Sequence, residues 1–150
     1  YGGLAASKPT AAGEDDRWLD ARVGYYYRNE RTQGDEFDLY GNTVFFGFGV
    51  PLPWRFVFDF TGEYTWDQYT QPSAVDYRRN QRYDFIQRYD LGLTYAWVEK
   101  GEVATLPSLR IRTRAGVELT FQDSNIWDRT SEDVYSFDRA VYSLQLLIDF

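Results

Sequence analysis

A two-residue alternation of apolar and polar side chains constrains this chain more than any other feature, because it recurs in long segments from residue 17 onward. In the clearest segment, Phe56, Phe58 and Phe60 alternate with Asp59 and Thr61. Successive side chains of a β-strand point to opposite faces of a sheet, and helical spacing fits none of the segments. The sequence therefore predicts an all-β fold, an antiparallel meander of about six long strands with almost no helix.

The predicted strands are separated by stretches rich in turn-forming and polar residues. We expect the strands at residues 19–28, 37–50, 56–67, 85–97, 109–122 and 139–150. Longer loops are expected at 29–36, 68–82, 99–108 and 123–133, and a very tight connection at 51–53. Because residues 1–16 show no periodicity, we divide the chain into a flexible lead-in at 1–16 and a strand region at 17–150.

Two architectures produce this alternation, and they differ in the face that points inward. A soluble barrel or sandwich encloses its apolar face, whereas a transmembrane barrel turns that face to lipid and lines its lumen with the polar one. The predicted strands keep phase for about 10 to 14 residues, longer than the roughly 5 or 6 usual in soluble sheets. A tilted membrane-crossing strand needs about 9 to 11 residues, so strand length favours an antiparallel transmembrane β-barrel.

Aromatic residues make up 19% of the chain and gather towards the two ends of the predicted strands. In an antiparallel meander, Trp18, Trp54 and Trp97 fall on the apolar face near one edge. Trp66 and several tyrosines fall near the opposite edge, with an aliphatic band between the two groups. Membrane–water interfaces select two such aromatic belts, so these four tryptophans are predicted membrane-interface residues.

The other face of the predicted sheet carries charges of both signs. Inside a barrel, the lumen would be lined by Arg22, Arg28, Asp59, Glu63, Arg88, Asp90, Arg110, Arg112, Arg114, Glu118 and Arg139. In a soluble sheet these residues would be ordinary solvated surface, whereas in a barrel they would form ion pairs or a pore lining. Because both signs are interleaved, the sequence predicts no clear ion selectivity.

The end of the sequence alternates in the same phase and finishes on an aromatic residue. The apolar positions are Tyr142, Leu144, Leu146, Ile148 and Phe150. This segment resembles the C-terminal signature of Gram-negative outer-membrane β-barrel proteins. The resemblance implies that these residues form an assembly signal for the barrel-assembly machinery, in a protein of the bacterial outer membrane that contacts lipid and lipopolysaccharide. Residues 124–139 also resemble part of barrels that are tethered to periplasmic helical-repeat domains and that export polysaccharides or help display surface lipoproteins.

Six strands are fewer than the roughly eight of the smallest usual single-chain membrane barrel. An open sheet edge is not viable in lipid, because its backbone groups would have no hydrogen-bond partners. We therefore expect the six strands to form part of a larger barrel. Missing N-terminal strands of the same barrel, or other subunits, would complete it.

Composition excludes several classes of function. The chain has no histidine and no cysteine, so ordinary hydrolase triads, thiolate metal sites and disulfide scaffolds are ruled out. A net charge of −7 argues against a nucleic-acid partner. We expect no enzyme activity, no cofactor and no metal. The loop carboxylates Asp123, Asp128, Glu132 and Asp133 are interpreted as solvated loop residues.

The leading hypothesis is an outer-membrane barrel that forms a pore or export conduit with an arginine-rich lumen. One alternative is a non-conducting structural barrel that anchors an envelope assembly, in which ion pairs fill the lumen. A second alternative is a soluble β-barrel binding module with the aromatic face inside. The sequence does not indicate the transported substrate.

Overall fold

The computed structural model describes residues 5–6, 19–31, 38–72, 76, 80–126 and 135–150. These residues form one antiparallel sheet. Its strands are β1 (Ala5–Ala6), β2 (Leu19–Glu30), β3 (Leu39–Leu52), β4 (Phe56–Pro72), β5 (Gln81–Val98), β6 (Arg110–Ser124) and β7 (Phe137–Asp149). Strands adjacent in sequence are adjacent in the sheet, so the predicted meander of six long strands, β2 to β7, is confirmed.

The sheet has two open edges within the part of the chain that the structure describes. β7 pairs only with β6. At the other edge, β1 adds a two-residue pairing to the start of β2, and the rest of β2 pairs with β3 alone. The described strands therefore form an open sheet, with β2 and β7 running in opposite directions at its edges.

The register fixes the residues that share a face. One row across the six long strands consists of Asp20, Gly49, Asp59, Gly92, Gly116 and Ser143. The next row, on the opposite face, consists of Ala21, Phe48, Phe60, Leu91, Val117 and Tyr142. A slip of one residue would move every side chain to the other face, and the register keeps the predicted apolar and polar faces separate.

Two residues of β3 break the sequence pattern, and the structure explains both. Asn42 lies on the apolar face, where its Oδ1 accepts a hydrogen bond of 2.7 Å from the Tyr25 hydroxyl. Phe45 lies on the polar face, with its ring over Gly24 of β2, where a Cβ atom would overlap the ring. Asn42 is therefore accommodated by its hydrogen bond to Tyr25, and Phe45 by the absence of a side chain at Gly24.

The polar face is the more enclosed side of the sheet. Its buried residues are Leu39, Gly41, Thr43, Gly47, Thr65, Asp67, Asp84, Gly92, Ala96 and Thr120. On the apolar face, large side chains such as Trp66, Leu93 and Trp97 are exposed. Burial thus follows the reverse of the usual soluble arrangement, in which large apolar side chains are buried.

We call the two ends of the strands the turn rim and the far rim. The turn rim carries the β3–β4 turn at 53–55, two residues later than the tight connection expected at 51–53, and the β5–β6 connection at 99–109, which matches the longer loop expected at 99–108. At the far rim the strands are longer than predicted. β4 continues to Pro72 and β5 begins at Gln81, so the expected loop at 68–82 was wrong at both ends.

The β3–β4 turn has an unusual backbone. Trp54 and Arg55 adopt φ angles of 62° and 67°, in the left-handed region that side chains with a Cβ atom disfavour. Because Leu52 and Phe56 are register partners, the turn has three residues, and the last two are left-handed, a conformation that Gly or Asn adopts at least cost. The turn is therefore strained at a tryptophan that is 84% exposed.

Candidate functional site: the polar face

The structure places all eleven predicted lumen residues on one face of the sheet. Arg22, Asp90 and Glu118 share one row, and Glu63, Arg88 and Arg139 share the next row towards the far rim. The remaining five occupy the same face, because strand positions two residues apart point the same way. The charged residues predicted from the alternation are thus brought together as one surface.

Two arginines of β2 reach across β3 to β4. The Arg28 guanidinium donates a 2.7 Å hydrogen bond to Asp67, and the Arg22 guanidinium donates a 2.9 Å hydrogen bond to Thr61. Each side chain passes a glycine of β3, Gly41 or Gly47, at which a Cβ atom would lie 3.2 or 3.1 Å from the arginine Nε. The glycines therefore provide the space in which the arginines lie flat against the sheet.

Arg114 makes the same kind of contact from the other side of β4. From β6 it crosses β5 and donates hydrogen bonds of 2.6 and 3.4 Å to the two carboxylate oxygens of Asp59. It also donates to Asp90 of β5. A Cβ atom at Gly92, which lies between them, would overlap both the guanidinium and the Asp59 carboxylate. One arginine thus links three strands through a position that only glycine fits.

Other charges pair across neighbouring strands. Arg88 pairs with Glu63 at 3.1 Å, Arg139 with Glu118 at 2.9 Å, and Arg112 with Asp149 at 2.5 Å. Arg110, which is exposed, is the register partner of Asp149 at the turn rim. Most predicted lumen charges are therefore paired with opposite charges on the same face of the sheet.

At the far rim the structure shows a cluster that the sequence analysis missed. This rim cluster consists of Asp67, Tyr69, Arg82, Asp84 and Tyr135. Arg82 pairs with Asp84, and its guanidinium carbon lies 4.4 Å from the ring centre of Tyr69 and 3.6 Å from that of Tyr135. Gln122 also donates a hydrogen bond of 3.2 Å to Asp84. Residues 67 and 69, and 82 and 84, continue the polar phase of their strands, but no sequence signal indicates that they meet Tyr135.

An exposed ion pair connects the two turns of the turn rim. Arg55 donates two hydrogen bonds, of 2.6 and 3.1 Å, to the Glu102 carboxylate. The backbone N–H of Glu99 donates a third, of 3.0 Å, to the same carboxylate. These donors stabilise the charged form, so the Glu99 N–H and then Arg55 lower the pKa of Glu102 below its ordinary value.

The predicted interface tryptophans lie at both rims. Trp54 and Trp97 are exposed at the turn rim, and Trp66 is exposed at the far rim, where it stacks on Phe85 with ring centres 5.4 Å apart. Trp97 donates a 2.9 Å hydrogen bond from its indole N–H to Thr113. Trp18 lies outside the described residues.

The predicted assembly segment forms most of β7 and the residue after it. Its five apolar side chains project from the apolar face at the open edge of the sheet. All five, Tyr142, Leu144, Leu146, Ile148 and Phe150, are exposed. Two of them, Tyr142 and Phe150, are more than 80% exposed.

Two surface hollows accompany these features. One, of about 450 Å³, opens at the far rim beside Asp67, Asp84 and Asn125. The other, of about 380 Å³, lies on the apolar face between Tyr95, Trp97 and Ala115. Within the described ranges, no three Asp or Glu side chains come together in a way that would hold a metal ion. Asp123 is described and exposed, whereas the other three loop carboxylates of the predicted solvated group lie outside the described residues.

The described part of the chain contains no helix that would span a bilayer. Compared with protein-family models, with curated proteins and with solved structures, the chain gives no significant match. The assignment of function therefore rests on the sheet and its two faces alone.

Proposed function

We propose that this chain forms part of the wall of an outer-membrane β-barrel that acts as a pore or export conduit. The observation that carries the proposal is the distribution of burial between the faces. Large apolar side chains are exposed from one rim to the other on one face, whereas nearly all buried residues of the described sheet lie on the charged face. Transmembrane barrels have this arrangement, with apolar residues towards lipid and polar residues towards the lumen.

The dimensions of the sheet support the proposal. The six long strands contain 12 to 18 residues, more than the roughly 9 to 11 that cross the hydrocarbon core of a bilayer. Exposed tryptophans lie at both rims, as at the two membrane interfaces. The soluble alternative requires an enclosed apolar face, and the exposure of Leu144 and Leu146 argues against it.

The open edges support a barrel larger than these six strands. Backbone groups at an edge find no partners in lipid, so a viable wall continues beyond β2 and β7. In this proposal, further strands of the same polypeptide or of other subunits complete the wall. The residues from Tyr142 to Phe150 present the assembly signal to the barrel-assembly machinery, and lipid and lipopolysaccharide surround the apolar face.

A non-conducting structural barrel is the second candidate, and the ion pairing on the polar face favours it. Arg114 and Arg28 lie flat in pairs with Asp59 and Asp67 instead of projecting freely. A lumen in which charges neutralise one another suits a filled barrel that anchors an envelope assembly. Conductance of the purified protein distinguishes the two candidates.

The experiment compares one charge placed on either face of β7. Leu144→Arg puts the charge on the apolar face, and Ser143→Arg puts it on the polar face next to Gly116. For a lipid-facing position near mid-membrane we expect a loss of about 2–4 kcal/mol and a sharp fall in the heat-modifiable band of the outer-membrane fraction. The Ser143 variant should assemble nearly as the unmodified protein does. Equal assembly of both variants, or recovery of the protein in plain buffer, would contradict the proposal.

A further inference from the structure

Exposure on the polar face falls steeply towards the far rim. In the middle of the sheet, the Asp59 and Asp90 side chains are 36% and 38% exposed. At the far rim, the Asp67 and Asp84 side chains are 3% and 1% exposed. The described sheet is open, so a side chain on its polar face is exposed unless the chain itself covers it. Among the described residues, the carboxylates of the polar face are therefore covered at the far rim and not in the middle of the sheet.

The cover is the rim cluster. Arg82, at the centre, is held between the Tyr69 ring of β4 and the Tyr135 ring of the segment that leads into β7. A guanidinium between two aromatic faces gains cation–π attraction from both, and the bond to Asp84 fixes its direction. Arg82 thereby joins three parts of the chain over the end of the polar face.

Contacts next to the rim cluster hold the Tyr135 segment in place. The Ser136 hydroxyl accepts a 2.8 Å hydrogen bond from the backbone N–H of Ser124, at the end of β6. Ile126, two residues further, is fully buried. Ser136, directly before β7, thus contacts the end of β6.

We propose that the rim cluster is the constriction of the conduit and narrows it at the far rim. This inference rests on the proposed function and adds to it the residues that limit passage. Arg28 and Arg82 balance Asp67 and Asp84, so the constriction carries both signs of charge in nearly equal number. It restricts small hydrophilic solutes by size and discriminates little between anions and cations.

The experiment removes one side of the aromatic sandwich in the full chain. Tyr135→Ala takes away the closer ring, whereas Tyr135→Phe keeps the ring and serves as the conservative variant. Arg82→Lys keeps the positive charge but loses the planar guanidinium that stacks on the rings. If Tyr135→Ala does not assemble, Arg82→Lys is measured in its place. Tyr40→Ala is the matched control, because it removes an exposed ring at the same rim but on the apolar face. Single-channel conductance in planar bilayers and the swelling of sugar-loaded liposomes are measured for each.

We expect Tyr135→Ala and Arg82→Lys to raise conductance at least about threefold, with Tyr135→Phe and Tyr40→Ala close to the unmodified protein. Unchanged conductance in both rim variants, with normal heat-modifiable mobility, would refute the constriction and leave the barrel standing. An equal rise for Tyr40→Ala would also refute it, because the effect would then follow from the loss of any ring at the far rim. Failure of the unmodified protein to enter bilayers would refute the barrel and the constriction with it.

Discussion

Replacing Arg114 by methionine tests the bond network that joins β4, β5 and β6. The variant removes hydrogen bonds of 2.6 and 3.4 Å to Asp59 and one to Asp90. A hydrogen bond to a charged group contributes about 1.5–3 kcal/mol net. Both carboxylates are more than a third exposed, so solvent screening reduces the sum. We expect Arg114→Met to lower the free energy of unfolding by about 2 kcal/mol.

The assay is urea unfolding in detergent micelles, followed by tryptophan fluorescence. Arg139→Met is the control, because the Arg139 and Glu118 side chains are 57% and 34% exposed and such a pair contributes about 0.5 kcal/mol. Asp59→Asn alone should cost about 1 kcal/mol, and combined with Arg114→Met it should add little to the loss from Arg114→Met. Strict additivity of Asp59→Asn and Arg114→Met, or a loss no greater than that of the control, would refute the reasoning.

Three further outcomes are expected from single substitutions. Gly92→Ala should lower the free energy of unfolding by about 1–2 kcal/mol, because the new Cβ atom would displace the Arg114 guanidinium and the Asp59 carboxylate. Gly49→Ala should be neutral or stabilising, because the atoms nearest to its Cβ position lie 4.0 Å away. Equal effects of the two variants in urea unfolding would contradict this. The lowered pKa of Glu102 means that its pair with Arg55 stabilises the fold above the unfolded-state pKa and is lost only as pH falls through the lower folded pKa. An NMR titration of the Glu102 carboxyl should therefore show a midpoint below its ordinary value of 4.5, and a normal or raised midpoint would oppose the assignment. Trp54→Asn should raise the detergent-state melting temperature by relieving left-handed strain of about 1 kcal/mol, and a decrease would show that the indole contributes contacts the turn needs.

The sheet and its faces could be predicted from the sequence because alternation is strict over long segments. Phe56, Phe58 and Phe60 stand in one phase, and the register keeps them on the apolar face. Pro53 marked the tight turn, although nothing local indicates that Trp54 and Arg55 take left-handed angles. Patterning therefore determines the register, while turn conformation depends on how neighbouring strands meet.

The rim cluster could not be predicted because it depends on contacts between distant parts of the chain. Arg82 was expected in a loop, since the stretch before it is long and polar. In the structure β5 begins at Gln81, Arg82 pairs with Asp84, and its guanidinium lies against a ring 53 positions further on, that of Tyr135. Single-sequence periodicity contains no information on such contacts.

The most direct test of the central claim measures which face of β5 contacts lipid. The chain has no cysteine, so Leu93→Cys and Thr94→Cys each introduce a single thiol on opposite faces of an interior strand. The two variants are labelled in intact outer membranes, first with a charged maleimide and then with a lipid-soluble one. If the apolar face contacts lipid, Cys substitution at Leu93 resists the charged reagent and reacts with the lipid-soluble one, while substitution at Thr94 reacts with the charged reagent. The reverse pattern, or equal reaction of both positions with the charged maleimide, would contradict the membrane-barrel account.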